Sequence, residues 1–370
     1  MTQTDGSTAV PRRARFGLFA PFILLLVVAA LWSAGWFWLR GRAGEEIDRW
    51  IAREAQAGRQ WTCADRSIAG YPFRLELRCA ALRFARSDVR FAAGPVVAVA
   101  QIYQPRHVIF EAAGPFHVEQ EGKVGDVTWR LVEGSLHLTG AGFQRASVVA
   151  DDLRGRISGV ALTEGAAEPI AFTTRHFELH ARPTPGRFEA DGAVDLSSRI
   201  TQATLPLLDP LLGGPEPADV ALDATVTRAA GIRTRPIAEE LERWRAAGGT
   251  VELTRLAAEK GRSRLQAQGS LALDEAHRLA GQLEVRTAGL DAVIAPLVSE
   301  QLGGRIGGAN AALIGNLVGQ LLGGGGRRRE AAPAQTDEAA LKPLPPVRLG
   351  GGKVAVGPFV IPSVRLDPLY

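Results

Sequence analysis

Two cysteines and six histidines are the side chains of this sequence best suited to nucleophilic, redox or metal chemistry. Catalysis needs a nucleophile or proton acceptor and a charge-stabilising group within reach of one another. His107, His117, His137, His176, His180 and His277 include no His-Glu-x-x-His arrangement. His176 and His180 have an even offset, which puts both on one strand face but too far apart to form an immediate metal pair. They read as surface or cross-strand residues. Asp151-Asp152 reads as a solvated turn, and carboxylates such as Glu76 sit beside arginines on presumed polar faces. No Gly-x-Ser-x-Gly elbow, phosphate loop or dinucleotide fingerprint occurs. The expectation is no catalytic residue, no metal site and no cofactor.

Cys63 and Cys79 both follow a long apolar run. An exported compartment permits a disulfide between them, which would stabilise the fold by about 3 kcal/mol. Two buried thiols or a redox pair are the alternatives, although the spacing is not Cys-x-x-Cys. Around them lie Trp61-Thr62-Cys63 and Gly70-Tyr71-Pro72-Phe73-Arg74, the most distinctive local constellation. Gly70 relaxes the backbone and Pro72 fixes its own φ, so Tyr71 and Phe73 can seat a first strand. Arg74 then faces water or a carboxylate. The reading is structural, with contact to a ligand or partner as the alternative.

The elements that must position these residues are mostly strands. Phe73, Leu75, Leu77 and Cys79 alternate with Arg74, Glu76, Arg78 and Ala80, the pattern of a half-buried strand. Alternation recurs at 97–101, 108–110, 127–131, 135–138 and 177–181, with glycine-containing turns between many of these runs. The clearest meander spans 250–286, turning at Lys260-Gly261 and Asp274-Glu275. Such alternation specifies an antiparallel sheet with one apolar face. Helices are expected at Ile237–Ala247 and at Ala309–Leu322, the latter paired with Leu290–Val298 to close the sheet. Residues 323–346 read as a flexible connector carrying Arg327, Arg328 and Arg329, and 347–370 as terminal strands that return to the sheet.

Ahead of all this, residues 16–39 are uncharged and long enough to cross a bilayer as a helix. Arg12, Arg13 and Arg15 precede the run, and Trp32, Trp36 and Trp38 gather toward its end, where indoles suit the headgroup layer. The charge bias predicts a cytoplasmic basic tail at 1–15, a transmembrane anchor at 16–39 and a translocated remainder. A cleaved signal peptide is the competitor, but its apolar core is normally shorter. Segment 44–57, within 40–60, reads as a separate membrane-proximal helix ended by Gly58. The 43 basic and 39 acidic residues give a net charge of only +4, which argues against nucleic acid as a partner.

The anchor, Trp61-Thr62-Cys63, Gly70-Tyr71-Pro72-Phe73-Arg74 with Cys79, Gly269-Ser270-Leu271-Ala272-Leu273-Asp274 and Gly357-Pro358-Phe359 together carry a resemblance. The chain resembles a bacterial family of uncharacterised membrane-anchored envelope proteins, domain of unknown function family 2125. That resemblance implies a single-pass protein of the bacterial inner membrane, with its main domain in the periplasm, and supplies no catalytic residues. The layout is also distantly similar to AsmA-type envelope proteins, which implies outer-membrane assembly or lipid passage along an apolar groove.

The combined expectation is a mainly β protein with flanking helices (α+β). A transmembrane helix precedes a large twisted antiparallel sheet with room for a groove, and residues 61–322 form a β-rich periplasmic domain with helical insertions. The function expected is a non-enzymatic envelope scaffold or lipid-binding protein in contact with inner-membrane lipids. A protein-interaction module in envelope or outer-membrane assembly is the first alternative, and an envelope enzyme the second.

Overall fold

The apolar run that begins at Phe16 ends at Leu39, but the helix it forms does not. In the computed structural model, which describes residues 16–140, 142–159, 169–206, 209, 214–232, 235–289 and 341–370, it is the first half of one helix, α1 (Phe16–Gln56). At 1.5 Å per residue, its 41 residues reach about 60 Å. The membrane-proximal segment expected as a separate element is therefore its continuation. Nothing in Arg40-Gly41-Arg42 breaks the helix, and the charged half is laced by Arg42–Glu45 at 2.8 Å and Arg49–Glu46 at 2.9 Å. Gly58, with φ +76°, ends it as expected, and Arg59 turns back to grip Glu54 with two bonds of 2.6 and 2.7 Å.

The rest is mainly β: among the described residues, twenty-one strands form a single antiparallel sheet that does not close on itself. The early strands are β1 (Gln60–Ala64), β2 (Ser67–Ala69), β3 (Arg74–Cys79), β4 (Ala81–Ala85), β5 (Val89–Ala93), β6 (Val96–Gln101), β7 (Gln104–Ala112), β8 (Phe116–Gln120), β9 (Lys123–Thr128) and β10 (Leu131–Thr139). These ten are five long strands, each broken once. β3 and β4 keep one register against β6 and β5, from Arg74↔Gln101 to Leu82↔Ala93. The next two, β11 (Gly142–Ser158) and β12 (Ile170–Pro183), run through unbroken, but their pairing steps over Asp152 and Arg175.

The interruptions fall at one level across seven neighbouring strands: Asp65, Ala80, Gly94-Pro95, Ala113–Pro115, Trp129-Arg130, Asp152 and Arg175. In several of them the in–out alternation shifts by one residue while the register with the neighbouring strand is kept. Leu75, Leu77 and Cys79 precede the shift in one strand, and Leu82 and Phe84 follow it, so the apolar side chains stay on one face. Neighbouring strands are interrupted together, and this shared line across the sheet is called its corner. Asp65 and Asp152 adopt φ +47° and +51° there. The alternation expected across Val127–Leu131 is corrected by this corner, which splits it into two strands at Trp129-Arg130. Asp151-Asp152 is corrected too: both residues lie inside β11, where the pairing with β12 is interrupted, rather than in a turn.

Beyond the corner the meander continues through β13 (Val194–Ala203), β14 (Ala218–Val226), β15 (Val251–Lys260), β16 (Ser263–Leu273) and β17 (Leu279–Ala288). Two short helices lie in links of the sheet, α2 (Phe188–Asp191) between β12 and β13 and α3 (Ile237–Ala246) between β14 and β15. On one face Ala224, Leu253, Ala267 and Val285 are buried, with Leu222, Val251, Leu256, Leu265 and Leu283 packed around them. The meander expected at 250–286 is thus present, with both of its turns.

The chain ends with β18 (Lys342–Pro343), β19 (Val347–Gly350), β20 (Lys353–Val356) and β21 (Phe359–Arg365). β18 and β19 both pair with β17, at Thr287↔Lys342 and Leu283↔Val347. The return of the terminal strands to the sheet is as expected. The connector assigned to 323–346 is shortened, because Lys342 and Pro343 already belong to the sheet. The basic tail, the helical pair expected at 290–322 and residues 323–340 lie outside the described residues.

Candidate functional site

Gly70-Tyr71-Pro72-Phe73-Arg74 is a tight loop between β2 and β3. Gly70 has φ +101°, and a Cβ there would lie 2.7 Å from the Arg74 carbonyl oxygen. The Arg74 N–H closes the loop onto the Gly70 carbonyl at 3.1 Å. The loop is seated on α1. Trp32 donates its indole N–H to the Pro72 carbonyl at 2.9 Å, and Trp36 donates to that of Arg74 at 3.1 Å. Ser33 Oγ donates to the Ala29 carbonyl at 2.7 Å, so the Tyr71 hydroxyl, 2.8 Å away, donates to Ser33. Tyr71 packs edge-on to Trp36 at 5.5 Å and stacks on Phe37 at 6.1 Å, while Phe73 lies 6.0 Å from Trp32. Trp36 is only 4% exposed.

The neighbouring β6–β7 turn joins the same junction: the Ile102 N–H donates to the Phe73 carbonyl at 3.0 Å. Ile102 also lines an apolar cleft of about 450 Å³ with Val28, Leu31, Trp32, Gly35, Trp36 and Leu39. Arg74 reaches a carboxylate, as expected, at 3.3 Å from Glu76. Glu76 itself is not on a solvated face; it is buried, with Arg78 on its other side at 2.6 Å.

Cys63 and Cys79 form a disulfide, with Cα atoms 5.1 Å apart. The bridge spans the corner, since Cys63 pairs with Leu82 below it and Cys79 with Val96 above it. Trp61 starts an aromatic row on the lower limb. It lies 4.7 Å from Phe84 and 5.7 Å from Phe91, and the row continues through Phe116 to Trp129. At the other end Trp50 of α1 meets Trp61 at 5.7 Å.

The histidines are engaged along or across strands or at the end of the chain. His176 pairs with Asp151 at 2.7 Å and His180 with Ser147 at 2.9 Å. His107 and His137 stack at 5.0 Å, and His277 stacks on Tyr370 at 4.2 Å. His117 is held between Asp126 and Glu119 at 2.7 and 3.1 Å, and these bonds, led by Asp126, raise its pKa. The Asp151 pKa is lowered first by His176 and also by Arg130, against the opposing effect of burial. Among the described residues, no group of three His, Cys, Asp or Glu side chains is arranged to hold a metal ion.

With the seated loop, the bridged cysteines and the meander in place, the sequence matches a family model over residues 36–362. The chain belongs to DUF2125, described as an uncharacterized protein conserved in bacteria. No curated protein and no solved structure matches it. The match begins at Trp36 and takes in both cysteines and the entire 70–74 loop, while Trp32 and Ser33 precede it.

The structure brings together Trp61, Cys63 and Cys79 at the corner, and Gly70, Tyr71, Pro72, Phe73 and Arg74 on the helix. Sequence reasoning missed that Trp32, Ser33 and Trp36 are the loop's receptors. Their spacing offered a signal, because i, i+1 and i+4 place both indoles and the hydroxyl on adjoining parts of one helix surface. It also missed Ile102 and the Phe84–Phe91–Phe116 row, which only the register aligns.

Proposed function

We propose that the protein is anchored by α1 in the bacterial inner membrane, with its N-terminus cytoplasmic and its sheet in the periplasm. There the sheet binds the acyl chains of a lipid on its apolar face. The observation that carries this reading is the state of that face. The sheet is open, and among the described residues no large side chain is fully buried. Leu222, Val251, Leu256, Leu265 and Leu283 stay only partly covered around their buried neighbours. An acyl chain laid along them would gain about 0.8 kcal/mol per buried methylene. The anchor assignment is supported by a helix long and apolar enough to cross a membrane and exposed along that stretch.

The test is photocrosslinking in intact cells from benzoylphenylalanine placed at Leu256. A covalent phospholipid adduct, identified by mass spectrometry, is the expected product. Adducts confined to residues 290–322 of the same chain would mean that the face is filled by the protein's own helices, and would end the lipid reading. An adduct with another protein would favour the interaction module instead.

A further inference from the structure

We propose that the 70–74 loop and the Ile102-Tyr103 turn insert side by side into the headgroup–acyl boundary of the bilayer crossed by α1, so that the sheet stands end-on against the lipid surface. The inference rests on the membrane anchor argued above, but it adds a second contact that the anchor does not require.

Two independent features of the loop carry it. The first is polar satisfaction. Four of the five loop carbonyls, those of Gly70, Pro72, Phe73 and Arg74, have donors, two of them indole N–H groups reaching from the helix. The Tyr71 hydroxyl is likewise spent on Ser33. A surface loop in water has no need of such pairing, whereas backbone groups sunk toward hydrocarbon are costly unless paired.

The second feature is what the loop shows outward. Tyr71, Phe73 and Tyr103 are 52%, 61% and 67% exposed, beside Phe37 and Trp38 at 57% and 67%. Aromatic rings with a polar tip are the side chains that favour the headgroup boundary. The receptors Trp32 and Trp36 fix the depth. Counted from Phe16, about 20 residues of helix span the hydrocarbon, which brings these two indoles to its far edge. A loop hydrogen-bonded to them is held at that same level. The charged group of the loop, Arg74, pairs with Glu76 of β3 at 3.3 Å.

The experiment uses the full-length chain in vesicles of phosphatidylethanolamine and phosphatidylglycerol. A polarity-sensitive NBD label is attached to one new cysteine at a time: Leu26→Cys in the anchor, Tyr103→Cys at the turn, and Arg262→Cys at the opposite ends of the strands. The disulfide keeps the native sulfurs from reacting. Lipids carrying a nitroxide quencher on the acyl chain should extinguish the labels at 26 and 103 and leave that at 262 bright. Phe73→Cys repeats the measurement from the neighbouring loop, so that a poorly folded variant at one position does not decide the outcome. Quenching at 26 with bright labels at both 73 and 103 would overturn the inference while leaving the anchor intact. A bright label at 26 would remove the membrane reading and the insertion with it.

Discussion

Trp36 donates its indole N–H to the backbone carbonyl of Arg74 at 3.1 Å, joining two residues 38 positions apart. The bond ties the helix to the first residue of β3, and Trp36 is almost wholly buried in making it. Trp36→Phe keeps an aromatic ring but removes the donor and part of the buried ring system. With the carbonyl left unpaired, the expected loss is about 1–3 kcal/mol. Urea unfolding of the detergent-solubilised chain would measure it, and the Ile102 amide should lose protection from hydrogen exchange in parallel.

The disulfide crosses the corner of the sheet and closes a loop with a sequence separation of 16. Cys63→Ser with Cys79→Ser should lower stability by about 3 kcal/mol. Reductant should produce the same shift in the unmutated chain and none in the double variant. A denaturation series with and without reductant separates the two.

At the corner, Gly94 leaves no room for a side chain. A Cβ there would lie 2.6 Å from the Ala113 carbonyl oxygen and 2.8 Å from that of Gly114, both parts of the backbone. Gly94→Ala should therefore cost about 1–3 kcal/mol, the usual range for forcing atoms into filled space. Gly231→Ala meets nothing within 4 Å and serves as the comparison, with little change in melting temperature.

Glu242 controls a contact near the end of the described chain. It accepts two bonds of 2.7 Å from Arg245 and one of 2.9 Å from the Tyr370 hydroxyl. Arg245 is the larger influence, and together they draw the Glu242 pKa down to about 2. The folded value lies below the unfolded one of about 4.3, so this contribution is complete above that pH and is lost as the pH falls toward 2. The Leu369 amide, bonded to the His277 carbonyl at 3.0 Å, should begin to exchange faster within that acid window. Glu242→Gln should abolish the pH step, leaving faster exchange at neutral pH.

Much of the sheet was legible in the sequence because alternation is a local signal. Leu265, Ala267, Gly269, Leu271 and Leu273 announce their face without reference to any partner. The corner was not legible, because a one-residue shift of alternation at Ala80 or Trp129 looks the same as a strand's end. Only the shared register of β3 with β6 and β4 with β5 shows that the strand continues. Pairing of Lys342-Pro343 was hidden by the prolines around it. At the junction, the loop's composition marked it as special, but its receptors lie in a segment whose apolar character was already explained by length alone. A residue with one sufficient explanation gives no hint of a second.

The sheet leaves β17 at Ala288 and is rejoined at Lys342, directly opposite Thr287. Residues 289–341 thus depart from and come back to one point, and no described strand depends on them for its neighbour. A change of length between Gly289 and Leu341 would therefore leave the pairing of every described strand in place.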